Sequence, residues 1–271
     1  MCAPRIVQLA HENAARPSRR ALFAAAGLTA LAATAPPARA IPPSRGVLDL
    51  THTLSSRLPT WPGSPPFTMV PVAGHALGGF GQNALAFWEH SGTHLDAPAH
   101  RVPGGATTDA LAVTDLVAPL VVIDISARAE RDADAALTID DIENWQSVHG
   151  RIPERAFVAM YSGWERLIHD AAAFLNLDAH GVPHAPGIAP DAAAYLVERC
   201  GVVGVGVDTL SLDHALSRDH GAHTAILGAG RYGVEMLANL GAAPASGATV
   251  VVGAPKHSGG TGGPCRVIAL T

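Results

Sequence analysis

At 271 residues, with 48% hydrophobic and 15% charged side chains, the chain is too apolar to be disordered and long enough to bury a full core. Its formal charge of −5, with no run of Lys or Arg in its body, excludes nucleic acid as a partner. Three cysteines are too few for a thiolate-held zinc cluster.

The first forty residues stand apart. Ser18-Arg19-Arg20-Ala21-Leu22-Phe23 is a twin-arginine pattern, residues 21–35 are apolar, and Ala38-Arg39-Ala40 is a small-x-small cleavage site. Together they predict a Tat export signal over 1–40 and one domain over 41–271, periplasmic or secreted. The apolar run is short for a bilayer span, so no membrane part is expected once the signal is removed. Five arginines against one Glu give the leader +4 and leave −9 on the remainder. In an oxidising compartment Cys200 and Cys265 could pair, a point that spacing leaves open.

Strands are predicted at 47–51 and 67–72, flanking the turn Leu58-Pro59-Thr60-Trp61-Pro62-Gly63. A further strand at 84–89 would deliver His90 at its end. The runs 120–125, 156–161, 202–207 and 248–252 are apolar, β-rich and bounded by turn residues, as buried strands are. Thr138 followed by Asp140 and Asp141 starts a helix with a hydroxyl cap and acids in its first turn. A second helix is predicted at 190–199, with Pro190 at its start and alanines after it. With no repeat and no linker, the pattern is α/β and sheet-rich.

The densest chemistry lies in His90-Ser91-Gly92-Thr93-His94-Leu95-Asp96-Ala97-Pro98-Ala99-His100. Full extension would hold His90 and His94 about 13 Å apart, too far for two nitrogens that must each sit about 2 Å from one ion. The chain must therefore bend between them, and Gly92 is placed to allow it, while Pro98 stops a helix from running on towards His100. His90, His94 and Asp96 then form an N, N, O set that leaves positions open for water and substrate.

This run resembles the His-x-Gly-Thr-His-x-Asp-x-Pro-x-His signature of the metal-dependent cyclase family, which includes kynurenine formamidases and isatin hydrolases. The resemblance implies a swivelling β/β/α fold and one or two divalent ions, Zn2+ or Mn2+. It makes His100 the proton shuttle, and adds His223 and Glu235 as ligands. His214 and His220 compete with His223, and Glu235 taken alone would read as a solvated helix acid. Trp61 aligns with the aromatic that lies against the substrate ring. Asp208, at a strand end, reads equally as a site acid or as a turn cap. The loop Gly259-Gly260-Thr261-Gly262-Gly263 lacks the order of a phosphate cradle.

Extra sequence between 127 and 155, and the Val-Gly-Ala-Pro-Lys and Gly-Gly-Pro ending, look nearer to isatin hydrolases. The implied activity is metal-dependent hydrolysis of a small amide, either an N-formyl arylamine or a cyclic anilide such as isatin. A lactone hydrolase of the same family and a non-catalytic periplasmic metal-binding protein are the alternatives. A small aromatic or cyclic substrate and a homodimer or larger homo-oligomer are expected.

Overall fold

A computed structural model describes residues 46–74 and 80–271; the expected export signal at 1–40 lies outside them. These residues fall into two compact units, one containing 67–87 and the other 44–66 with 88–271. The first is a hairpin of β2 (Thr68–Ala73) and β3 (Gln82–Ala86), paired antiparallel with a register shift between Pro71 and Ala73. The strand predicted at 84–89 thus closes at Ala86, and His90 follows from irregular chain rather than from a strand end.

The larger unit is organised by a nine-stranded sheet. Its strands are β1 (Val47–Asp49), β4 (His94–Asp96), β5 (Val117–Asp124), β7 (Phe157–Tyr161), β9 (Gly204–Val207), β10 (Tyr232–Glu235), β11 (Ala248–Gly253), β12 (Gly262–Pro264) and β13 (Arg266–Leu270). They lie in the order β1-β13-β11-β5-β7-β9-β10-β4-β12. The centre, β5-β7-β9-β10, is parallel, and the flanking pairs are antiparallel. A small parallel pair, β6 (Ala136–Leu137) with β8 (Gly187–Ile188), lies outside it.

The central strands are apolar on both faces because both are covered, as parallel strands require. On one face Val121, Ile123, Val158, Met160, Val205 and Val207 form a core with helical residues. On the other, Leu120, Val122, Phe157, Ala159, Val250 and Val267 build a second core. The alternation of 120 and 122 against 121 and 123 is the strand period of two. Each fully buried aliphatic side chain contributes about 1.5–3 kcal/mol.

Five α-helices occur among the described residues: α1 (Ser126–Ala129), α2 (Ile139–His149), α3 (Ala171–Leu175), α4 (Pro190–Glu198) and α5 (Gly221–Gly228). The Thr138 side chain accepts from Asp141 N–H, while Asp141 accepts from Thr138 N–H at 2.8 Å, which closes a capping box at the predicted start of α2. α4 starts on Pro190 as expected and packs Ala192, Ala193 and Leu196 into the core.

Asp208 takes the structural role. Fully buried at the end of β9, it accepts from Ser162 N–H at 3.0 Å, Ser162 Oγ at 2.6 Å and Trp164 N–H at 2.9 Å, tying β9 to β7. Burial raises its carboxyl pKa despite those bonds. Cys200 and Cys265 are both free thiols, so the pairing left open by the sequence is not formed.

Candidate active site

Strand geometry brings three of the expected ligands together. His94 and Asp96, two residues apart on β4, project from one face, and Glu235 of β10 lies directly across from His94 in the antiparallel register. Glu235 is therefore a buried strand residue and not a helix acid. Glycines stand opposite Asp96 on both neighbours, Gly233 on β10 and Gly262 on β12. A Cβ on Gly262 would lie 2.5 Å from the His90 ring, so only glycine admits that imidazole.

The bend predicted before His94 is present. Gly92 has φ +63°, and a Cβ there would also meet Leu58 at 2.9 Å. It carries the chain back so that His90 Nδ1 reaches Asp96 Oδ1 at 2.6 Å. After β4, Pro98 does not stop a helix short of His100: it opens a single 3-10 turn, Pro98–His100, which carries the His100 ring back over His90 at a centroid distance of 3.8 Å.

Of the three competing histidines, His223 is the one delivered to the cluster. It sits on α5, nearly buried, with Nε2 3.5 Å from Asp96 Oδ2 and 3.2 Å from Glu235 Oε1. Its other nitrogen, Nδ1, meets Asp213 Oδ2 at 2.6 Å, and Asp213 also accepts the Ala222 N–H at 2.7 Å. Asp213 thus orients the ring and caps α5 at once. His220, in left-handed backbone at φ 52°, is half exposed beside Asp213, and His214 is outside the ligand groups among the described residues.

The donor set fits a divalent ion. Nitrogen and oxygen donors of His90, His94 and Asp96 lie within 4.8 Å of one another, as do those of Asp96, His100 and His223, with Asp96 common to both. His94 Nδ1 meets the Gly92 carbonyl at 2.7 Å, which leaves Nε2 facing Glu235 Oε2 at 3.2 Å. His94 Nε2 and Asp96 Oδ2 are buried without a hydrogen-bond partner, and orphaned atoms of this kind are what an ion satisfies. Imidazole and carboxylate suit first-row metals such as zinc and manganese.

His94 and His223 each face both buried carboxylates. Burial disfavours the charged rings, yet Asp96 and Glu235 push the His94 pKa up to about 10; Asp213, with the same two carboxylates, pushes His223 up to about 12. Asp96 and Glu235 are themselves held below their ordinary values against burial by those histidines. Folded-state values above 6.5 mean that the rings' stabilisation is complete below that pH and fades only as pH rises through the raised pKa. The His94 and His223 rings must each lose a proton before they can ligate, so metal uptake at neutral pH should release protons from these two, and apparent affinity should climb with pH. Calorimetry in buffers of different ionisation enthalpy measures this, and uptake without proton release would contradict the paired arrangement.

Several polar residues escaped the sequence reading. Thr261, in the glycine-rich loop set aside above, lies 3.2 Å from His90 Nε2 and donates to Glu89 Oε2 at 2.5 Å; Glu89 Oε1 in turn meets His257 Nε2 at 2.6 Å. The order Gly-Gly-Thr-Gly-Gly marks close backbone approach but not its partner. Trp61 is 44% exposed, as a platform residue would be, and lines a narrow apolar cleft with Phe174, Pro186, Leu210 and Asp213. His100 keeps an exposed edge, while the protein packed on its other side desolvates the ring and holds its pKa below the ordinary value.

Residues 48–214 match the profile of the Cyclase family, described as "Putative cyclase". The chain is 39% identical over 199 residues to the isatin hydrolase of Roseibium aggregatum, covering 70% of this chain and 75% of that protein. It is 30% identical over 187 residues to the kynurenine formamidase of Sphingopyxis alaskensis, covering 66% and 77% respectively. In three dimensions it resembles an isatin hydrolase bound to the product analogue thioisatinate, with TM-score 0.78, 32% identity and coverage of 94% of this chain and 99% of that one.

Proposed function

Since the chain belongs to the cyclase family and is a metal-dependent hydrolase of amide C–N bonds, we propose that its substrates are small amides of arylamines, and cyclic anilides of the isatin type before N-formyl arylamines. The observation that carries this reading is the pair of buried carboxylates, Asp96 and Glu235, each set between His94 and His223, with a His100 nitrogen within 4.8 Å of donors from Asp96 and His223. The greater identity to the isatin hydrolase favours the cyclic substrate.

His90, His94 and Asp96 would hold the ion, and His223 and Glu235 would complete its shell or hold a second. When bound, Zn2+ or Mn2+ lowers the pKa of a water towards neutrality and polarises the substrate carbonyl. His100, neutral at working pH because its pKa is depressed, takes the proton of the attacking water as the C–O bond forms. It returns that proton to the nitrogen as the C–N bond breaks, giving a carboxylate and an arylamine. Trp61 offers an exposed indole face to the aryl ring, where offset stacking favours a flat aromatic over an aliphatic amide.

A panel of isatins, formanilides and lactones, assayed with and without chelator, tests the reading. Isatin-type anilides should turn over fastest, and only without chelator. Chelator-resistant turnover would remove the metal from the chemistry, and a preference for lactones would replace the amide as substrate.

The twin-arginine segment supports a periplasmic site of action, where exogenous aromatic compounds are met first. Replacing Arg19 and Arg20 by Lys should strand the precursor in the cytoplasm, whereas the native chain should be recovered with Ile41 as its new N-terminus. Normal export of the variant would refute the Tat assignment.

A further inference from the structure

In the glycine-rich loop, Thr261 is flanked by glycines that each make room for an imidazole. A Cβ on Gly260 would lie 2.2 Å from His257 Nε2, as one on Gly262 would lie 2.5 Å from the His90 ring. Glu89, the residue before His90, is fixed against this loop: Oε2 accepts the Thr261 hydroxyl at 2.5 Å and the Thr261 N–H at 3.2 Å, while Oε1 meets His257 Nε2 at 2.6 Å. The carboxylate is thus tied at both oxygens.

Counting hydrogens then decides which nitrogen of His90 is free. A threonine hydroxyl has one hydrogen and a carboxylate only accepts, so the Thr261 hydrogen points at Glu89. Towards His90 Nε2, 3.2 Å away, the hydroxyl oxygen is therefore an acceptor, and Nε2 must carry the ring hydrogen. Nδ1 is left for the ion, on the side where Asp96 Oδ1 lies at 2.6 Å. His94 is arranged the other way round, because its Nδ1 faces the Gly92 carbonyl at 2.7 Å and Nε2 is the nitrogen set free. His223 follows His94, with Nδ1 on Asp213 at 2.6 Å.

We propose that Thr261 and Glu89 are positioning residues for the metal centre that act through His90: the carboxylate orients the hydroxyl, the hydroxyl holds the Nε2 hydrogen, and the ring presents Nδ1. The inference rests on His90 being a ligand. Partners of this kind fix the tautomer and orientation of a ligating ring and raise its basicity, and their loss typically costs about 10–100-fold in metal affinity.

Zinc affinity, read by competition with a chromophoric chelator, tests this without any assay of hydrolysis. Thr261→Val keeps the side-chain shape and removes the acceptor, so it should weaken zinc about 10–100-fold, whereas Thr261→Ser should bind zinc as the native protein does. Equal weakening in both variants would reduce Thr261 to a structural role and overturn the proposal. His90→Ala, measured beside them, tests the ligand itself. If it weakens zinc and Thr261→Val does not, the positioning role is overturned while the ligand stands; if neither does, His90 is no ligand and the inference falls with it. Heteronuclear NMR of the imidazole nitrogens in the zinc-loaded native protein needs no variant to fold. The assigned His90 ring should carry its hydrogen on Nε2 and the His94 ring on Nδ1, and a His90 hydrogen on Nδ1 would equally overturn the proposal.

Discussion

His94→Ala should empty the metal centre and abolish turnover. His94 is buried at 3% exposure, with Nε2 3.4 Å from Asp96 Oδ1 and 3.2 Å from Glu235 Oε2. Truncation removes a nitrogen ligand and also leaves two buried carboxylates facing each other, with one fewer histidine to hold the Glu235 pKa down against burial and the Asp96 charge. Removing one partner of a buried ion pair costs about 3–5 kcal/mol, so the variant should melt well below the native protein even without metal. Elemental analysis of His94→Ala, and of His90→Ala with His94→Ala, gives the decisive number: metal at full occupancy in the double variant would dismiss the proposed site.

His100→Ala should leave the metal in place and lower kcat by about 10²–10⁴-fold, the contribution of a positioned acid-base group. Its ring stacks on His90 at 3.8 Å and stands 5.9 Å from the His223 ring, so it borders the ligands while keeping an open edge. Its donor atom is also within 4.8 Å of donors from Asp96 and His223, which makes ligation the competing role. Metal content separates the two. Loss of the ion on His100→Ala would make the residue a ligand, and wild-type turnover would make it a bystander.

The parts of the fold legible from sequence were those whose signal is local. The apolar runs that became β5, β7, β9 and β11, the capped start of α2 and the proline start of α4 declare themselves within a few residues. β4 does not, because its three residues are His94, Leu95 and Asp96 and it is a strand only through its neighbours β10 and β12. α5 lacks a side-chain cap from its own first residues; Asp213, eight positions before it, does that work. The same division runs through the site. The spacing from His90 to His100 exposed three of the ligands, whereas Glu235 was reached only through the family resemblance, and its place comes from the register that sets it across from His94. Thr261 and Asp213 act on histidines remote in the chain, and no spacing encodes such a contact.

The short strand β4 has a kinetic consequence. Its backbone is clamped by β10 on one side and by β12 on the other, and the clamp on the first side carries Glu235. The backbone of His94 and Asp96 can move only by parting sheet hydrogen bonds, so release of an ion that they hold would be expected to wait on a sub-global opening. Metal exchange should then be paced by the protein and not by the competitor. At high chelator concentration the stripping rate should level off at the opening rate, and the amides of Leu95 and Val234 should exchange their hydrogens on that same clock.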